Sequence, residues 1–213
     1  MRILLAFFCL GLAACVPLAD HPVGGDEHAP MDARWQGVWR PADADEGPML
    51  LFAGPGDEAG HGIHLLIVEE MGDRRWKTSD YDGVTARRGG GGFLSIRYET
   101  TDGDRRGWAI ARYAFTGPDR LQLWTLDETR LAAGVRAGKI PGKIIGDGPN
   151  ADVDLTMSGG ELLAFLESRD GHALFDRPRA LVRGGPPAAR TGEHRGRRPH
   201  QSTGSGVAPT PSR

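Results

Sequence analysis

Cysteine is scarce in this chain, and its position excludes several kinds of chemistry. Cys9 and Cys15 are the only cysteines among 213 residues, and both lie near the N-terminus. Beyond them no thiol is present for a disulfide, a nucleophilic cysteine or a zinc–thiolate centre. The rest of the chain must therefore fold by packing, without covalent crosslinks.

An excess of positive charge and long apolar runs are also missing. The chain has 26 Lys and Arg against 28 Asp and Glu, which gives no basic field for binding nucleic-acid phosphates. Its longest apolar run, residues 3–14, is shorter than the roughly 20 residues that a transmembrane helix needs. We therefore expect neither a nucleic-acid partner nor a membrane-spanning helix.

Recognisable catalytic and nucleotide-binding motifs are absent as well. No G-x-S-x-G elbow is present, and the glycine-rich stretches 54–60 and 89–92 lack the residues that bind phosphate in nucleotide-binding loops. We interpret both stretches as loops. The sequence predicts no enzymatic activity and no cofactor.

What the chain does contain at its start is a signal-like segment. Arg2 precedes the apolar run, which has the length of a signal-peptide core. The run ends in Leu12-Ala13-Ala14-Cys15, which resembles the lipobox of bacterial lipoproteins. The resemblance implies cleavage after Ala14, acylation of Cys15 and attachment to a membrane through these acyl chains. Two alternatives stay open, an ordinary cleaved signal peptide and a buried N-terminal helix.

The same resemblance places the mature protein in the bacterial cell envelope. It implies a diacylglyceryl group and an amide-linked acyl chain on Cys15, and several chains anchor a protein stably where one does not. Val16 follows the cysteine in place of an aspartate. This favours the outer membrane, with the protein facing the periplasm.

Composition divides the chain into four parts. We predict a lipoprotein signal peptide over 1–14, a flexible tether over 15–33, one globular domain over 34–183 and a disordered basic tail over 184–213. The tether is rich in Pro, Gly and acidic residues and has no apolar period. The tail has 11 Gly or Pro in 30 residues and no aromatic residue, so it buries too little surface to offset the entropy lost on ordering.

Charge is unevenly divided between the body and the tail. Residues 15–183 have 20 basic and 27 acidic side chains, whereas the tail has five arginines and one glutamate. An acidic body with a basic tail permits self-association, or contact of the tail with an envelope protein, an anionic polymer or lipid headgroups. A solvated tail without any partner is the simpler interpretation, and we favour it.

Segments of strand length and composition follow one another through the domain. Leu94 and Ile96 alternate with Ser95 and Arg97, which predicts a strand with one buried and one wet face. Tight turns at 101–104 and 116–119 indicate an antiparallel meander. We predict strands at 49–53, 62–68, 93–99, 108–115 and 120–126, and weaker ones at 81–87 and 180–182.

Two short helices are predicted in the second half. Asp127 has the position of an N-cap for a helix that stops at Gly138, and Ser158 and Glu161 have the spacing of a capping box ahead of Leu162. The domain is therefore predicted as α+β. Its antiparallel sheet either stays open or partly closes into a barrel, with the two helices packed on it.

Histidines and carboxylates form two patterns that bind metal ions in other settings. His61 and His64 have an H-x-x-H spacing, but positions three apart on a strand face opposite sides. Alternate carboxylates share a face of an extended chain, yet turns also select aspartate. We predict no metal site. The D-x-D pairs are Asp43/Asp45, Asp80/Asp82, Asp102/Asp104 and Asp152/Asp154.

Aromatic residues lie on or near almost every predicted element. We expect them to fill a core between the sheet and the helices. The alternative is an open pocket for an apolar ligand. Its lining would include Trp39, Tyr98, Trp108, Tyr113 and Trp124.

Two short motifs carry a resemblance to a known family. Gly37-Val38-Trp39, ahead of the meander, resembles the G-x-W with which lipocalins and related calycin barrels begin. Ser79-Asp80-Tyr81 is similar to their T-D-Y element, although the interval between the two motifs is shorter here. The resemblance implies a barrel shape and a ligand pocket within it.

Three functional hypotheses follow from these patterns. The favoured one is a lipid-anchored structural or interaction module of the cell envelope. The second is a calycin-like barrel that binds a small apolar ligand. The third is an envelope hydrolase, which requires carboxylates remote in sequence to converge.

The lipobox generates the first testable prediction, acylation at Cys15 with cleavage after Ala14. Mass spectrometry of the N-terminal peptide from membrane-extracted protein should find Cys15 as the first residue, with lipid attached. Cys15→Ser should abolish this modification. An unmodified thiol, or cleavage at another bond, contradicts the prediction.

Overall fold

The computed structural model describes residues 16–26, 28–43, 47–71, 75–100, 103–146 and 151–184. The predicted signal peptide, Cys15 and the predicted tail from residue 185 lie outside these described residues. Within the same ranges, no helix has both the length and the hydrophobicity to cross a bilayer.

Strands dominate the described residues. The helices are α1 (Glu128–Arg136), α2 (Gly159–Glu167) and α3 (Arg169–His172), and Ala33–Trp35 forms a 3-10 turn. The strands are β1 (Leu18–Ala19), β2 (Gly37–Pro41), β3 (Met49–Pro55), β4 (Ile63–Glu70), β5 (Trp76–Arg88), β6 (Gly91–Glu99), β7 (Arg106–Gly117), β8 (Arg120–Thr125), β9 (Gly142–Ile145), β10 (Asp152–Leu155) and β11 (Arg179–Arg183).

Eight of these strands close into a barrel. Its order is β2 to β8 in sequence and then β11, which returns to β2, and every neighbouring pair is antiparallel. Closure depends on β11, because Leu181 pairs with Pro41 on one side and with Leu121 on the other. The predicted antiparallel sheet is confirmed, and it closes fully. The protein is mainly β, with few helices.

The strands predicted from alternation are present, and those that were missed are short. β1, β2, β9 and β10 have between two and five residues each. Two to five residues give at most two or three alternations, which is too few to distinguish a strand from a loop in the sequence. The stretches 54–60 and 89–92, interpreted as loops, are loops only in part, because Gly54 and Pro55 end β3 and Gly91 and Gly92 begin β6.

β5 changes partners at Gly83. It pairs with β4 up to this residue and with β6 from this residue onward. A Cβ atom at position 83 would lie 2.5 Å from the carbonyl oxygen of Ser95. Glycine therefore permits the close approach at which the sheet turns a corner of the barrel.

Alternation along the strands divides the apolar side chains between two cores. The inner core lies inside the barrel and includes Leu65 and Leu94, whereas the outer core lies between the barrel wall and the helices and includes Phe93 and Leu162. β6 contacts both cores. The predicted wet face of β6 is therefore wrong at Ser95, which is 1% exposed and accepts a hydrogen bond from the Val23 N–H at 3.0 Å.

Both predicted helices are confirmed, with their caps. The Asp127 side chain accepts from the Arg130 N–H at the start of α1, and Ser158 and Glu161 form the capping box of α2. Leu131 and Leu162 bury these helices in the outer core. The one-turn helix α3 follows α2 and was not predicted.

The segment predicted as a flexible tether is folded over its described part, from residue 16 onward except Glu27. β1 pairs with β7 and β10, and Leu18, Ala19 and Val23 are buried. This segment folds because part of the β7 edge has no partner in the barrel. β8 pairs with β7 only as far as Ala111, and β1 continues the ladder at Ala109.

The corner at Gly83 generates a prediction for stability. Gly83→Ala should destabilise the fold by about 1–3 kcal/mol, because the new methyl group overlaps the β6 backbone. Gly54→Ala is the matched control, since Gly54 also lies in a barrel strand and a Cβ there has no atom within 4 Å. Urea unfolding of both variants measures the difference. Equal stabilities would show that the corner does not need glycine.

Candidate functional site

The G-x-W motif lies at the start of β2, the first strand of the barrel. The Trp39 ring is fully buried, and its indole N–H donates to the carbonyl oxygen of Trp35 at 2.7 Å. The guanidinium of Arg183, from the last strand, lies over this ring with 4.4 Å between its central carbon and the ring centroid. The motif thus joins the first and last strands of the barrel.

Arg183 also fixes the backbone that leads into β2. It donates to the carbonyl oxygens of Gln36 and, at 2.8 Å, of Arg34. Its Nε lies 3.2 Å from a carboxylate oxygen of Asp119. We call the end of the barrel where β2 begins and β11 ends the plugged end, because the 3-10 turn and Arg183 cover it.

Aromatic rings fill the inner core beneath this cover. Trp35 packs edge-on against Tyr113 and Phe115, with centroid separations of 5.1 and 6.0 Å, and Phe115 also contacts Trp39 at 5.8 Å. Trp35, Trp39 and Tyr113 are each at most 1% exposed. This part of the interior is packed with side chains in the way of an ordinary protein core.

A buried carboxylate organises the plugged end. Asp32 is 3% exposed and accepts from the backbone N–H of Arg34, from its Nε at 2.9 Å and from its Nη2 at 2.6 Å. Tyr113 donates its hydroxyl to the same carboxylate at 3.2 Å. Burial alone raises the pKa of Asp32, but the bonds and charge of Arg34 outweigh burial, so the pKa lies below its ordinary value.

Tyr113 responds in the opposite direction. Burial, followed by the charge of Asp32 and the hydrogen bond to it, raises the pKa of Tyr113 well above its ordinary value. The phenol therefore stays protonated and remains a donor to the carboxylate. The hydrogen bond between Tyr113 and Asp32 thus holds β7 to the start of the 3-10 turn.

The five aromatic residues of the predicted pocket are not brought together. Trp39, Tyr98 and Tyr113 belong to the inner core, whereas Trp108 and Trp124 pack in the outer core. Positions 108 and 113 lie on one strand, an odd number of residues apart, and therefore face opposite sides of the barrel wall.

The histidines of the H-x-x-H pattern have separate partners. His61 lies 3.3 Å from Asp57, and His64 lies 3.3 Å from Asp80 and 3.0 Å from Asp82. All of these groups are exposed. Within the described residues, no three His, Cys, Asp or Glu side chains are arranged to hold a metal ion.

Two of the D-x-D pairs bind a nitrogen-containing side chain of the protein itself. His64 bridges Asp80 and Asp82, as above, and Arg105 pairs with Asp152 at 2.7 Å and with Asp154. The Arg105 pairing fastens the β6–β7 turn to β10. Of the other pairs, Asp45 and Asp102 lie outside the described residues.

Two cavities lie against the outside of the barrel wall, and sequence reasoning found neither. The helix-side cavity, of about 340 Å³, is bounded by β5, β6, β7, α2 and α3. The second, of about 320 Å³, lies beside residues 23–32, and Arg88 lines both. The helix-side cavity is lined by the charged side chains of Arg88, Arg112 and Glu167, and by His172. These residues come from four elements, so no local motif could mark them.

Comparisons with known proteins supply no relative. The chain matches no protein family, no curated protein and no solved structure.

The Asp32 cluster predicts a pH-dependent contribution to stability. Asp32→Asn should cost about 2 kcal/mol at pH 7, since the hydrogen bonds to a charged acceptor are weakened. Because the folded-state pKa of Asp32 is lowered, this contribution is complete above the ordinary carboxyl pKa and disappears as the pH falls through the folded-state value. The difference in the free energy of unfolding between the unmodified protein and Asp32→Asn, measured in urea, should therefore become smaller from pH 7 to pH 3.

Asp119→Asn is the control for this experiment. Its carboxylate also pairs with an arginine but is 67% exposed, so its removal should change stability by less than about 1 kcal/mol. A similar loss in both variants, or a gap at Asp32 that does not change with pH, contradicts the role given to Asp32.

Proposed function

We propose that this chain is a lipid-anchored protein of the bacterial cell envelope whose barrel is a solid scaffold that acts through its outer surface. The observation that carries the proposal is the filled inner core at the plugged end. An interior occupied by Trp35, Trp39 and Tyr113 leaves the outer wall and its cavities as the surfaces open to partners.

The anchoring part of the proposal is supported by the sequence. Leu12-Ala13-Ala14-Cys15 follows a signal-like apolar run, and the acyl chains on Cys15 would hold the protein in the outer membrane, facing the periplasm. Cys15 lies immediately before the described part of the chain, whose first residue is Val16.

A calycin-like barrel is the second part of the proposal. Eight antiparallel strands close the barrel, and the G-x-W lies at the beginning of its first strand. Tyr81, from the segment similar to T-D-Y, packs in the inner core, while Asp80 faces outward to His64. These features support a barrel similar in architecture to that of calycins.

The interaction role is favoured over the ligand-binding role. A small apolar ligand inside the barrel would have to displace packed aromatic rings at the plugged end. The hydrolase hypothesis needs free converging carboxylates, but Asp80, Asp82, Asp152 and Asp154 are paired with His64 and Arg105. An envelope protein or an anionic polymer is the kind of partner that we propose for the outer surface.

Titration of the full chain with N-phenyl-1-naphthylamine, an uncharged fluorescent apolar probe, tests the solid barrel. We expect no saturable binding. Trp39→Ala should lose about 3–5 kcal/mol of stability, as expected for a truncated core tryptophan.

Trp76→Ala is the matched control, because Trp76 is 56% exposed and its truncation should change stability by about 0.5 kcal/mol or less. Saturable binding of the probe, together with a Trp39→Ala variant that folds normally but no longer binds it, would instead support a ligand-binding barrel.

A further inference from the structure

The helix-side cavity has apolar walls and a charged rim. Phe93, which is buried in the outer core, contributes aromatic surface, and Gly90, Gly91 and Gly92 contribute backbone. Its volume of about 340 Å³ falls within the range of small-molecule sites, roughly 300–1,000 Å³. The cavity is therefore large enough for a small organic molecule.

Negative charge at this cavity is largely neutralised by existing contacts. Glu167 accepts from the Nε of Arg88 at 2.9 Å. The carbonyl oxygen of Gly90 accepts from Arg34 at 3.0 Å and from the backbone N–H of Phe115 at 3.1 Å. The Arg34 charge is itself paired with Asp32. Among the residues that the structure describes, the one carboxylate that lines the cavity is therefore paired with an arginine.

Arg112 is the cation that lacks such compensation. Its guanidinium lies over the ring of Trp124, 5.1 Å from the centroid, and no carboxylate of the described residues pairs with it. The aromatic ring holds the guanidinium in place by a cation–π contact without neutralising its charge. Arg112 and Arg88 thus give the cavity a net positive character, although the body of the protein is acidic.

From this arrangement we infer that the helix-side cavity binds a small organic anion, with its acidic group on Arg112 and its apolar body against Phe93, which lies opposite Arg112 in the β6–β7 ladder. A planar guanidinium matches a carboxylate, sulfonate or phosphate through paired hydrogen bonds. The inference rests on the proposed function in one respect only, which is that binding takes place on the outside of the barrel.

Two fluorescent probes that share the same rings test the inference on the full chain. 1-Anilinonaphthalene-8-sulfonate carries an acidic group, and N-phenyl-1-naphthylamine lacks it. We expect saturable binding of the sulfonate. Arg112→Gln should weaken this binding about tenfold or more, as expected for the loss of a charge-assisted hydrogen bond.

Arg97→Gln is the matched control. Arg97 lies over Trp108 at 4.7 Å on the same barrel wall but does not line the cavity. Its replacement removes the same charge and the same kind of cation–π contact, so the affinity for the sulfonate should stay within about twofold. Equal weakening in both variants would show that only the overall charge of the protein matters, and would overturn the inference.

Glu167→Gln provides a test of opposite sign. It removes a negative charge from the rim and frees Arg88, so the sulfonate should bind several times more tightly. Glu167 is 43% exposed and its ion pair is on the surface, so the fold should be unaffected, which thermal unfolding checks. Tighter binding would support the inference, because a folding defect cannot produce it. Unchanged or weaker binding in a variant that unfolds at the same temperature would overturn the inference.

The uncharged probe separates this inference from the proposed function. If the uncharged probe binds saturably and Arg112→Gln leaves that binding intact, the solid barrel is contradicted while the anion site is judged by the sulfonate alone. If the sulfonate binds with no dependence on Arg112, the anion site is contradicted while the solid barrel stands.

Discussion

The contact between Arg183 and Trp39 joins β11 to β2, the last and the first strand of the barrel, at the point where the sheet closes. One guanidinium covers the tryptophan ring, donates to two carbonyl oxygens before β2 and reaches Asp119 beside β8. β11 has five residues and pairs on both sides. Because a closed sheet has no free edge, β2 and β8 each gain their second partner from this closure. The closed wall is what encloses the inner core.

A large part of the fold could be predicted from the sequence because the barrel strands obey a simple period. Leu65 and Ile67 alternate with half-buried residues along β4, and the caps at Asp127 and Ser158 mark the helices. β6 resisted prediction at Ser95, because a second layer covers its outer face. That layer includes Val23, in the segment after β1, and the two residues of β1 are specified only by the vacant edge of β7. Tertiary contacts of this kind leave no local pattern.

The candidate site could not be predicted for a related reason. Arg88, Arg112 and Glu167 are single charged residues on three elements, and each has the appearance of an ordinary surface residue in the sequence. Whether such a residue can bind a ligand depends on whether its charge is already paired within the protein. The D-x-D pairs show the converse, since a pattern visible in the sequence proves to hold Arg105 and His64 of the same chain. Ion pairs between elements remote in sequence therefore decide which charges of this protein remain available for binding.

The position of β1 also determines how the barrel would be mounted. Val16 is half-buried and Pro17 is buried, so the described part of the chain is packed against the domain from its first residues onward. With the acyl chains proposed for Cys15, the barrel would lie against the headgroups with little freedom to tumble. Its orientation to the bilayer would be set by the β7 edge on which β1 lies, and partners would be encountered within a thin layer beside the membrane, where a short linkage gives a high effective concentration.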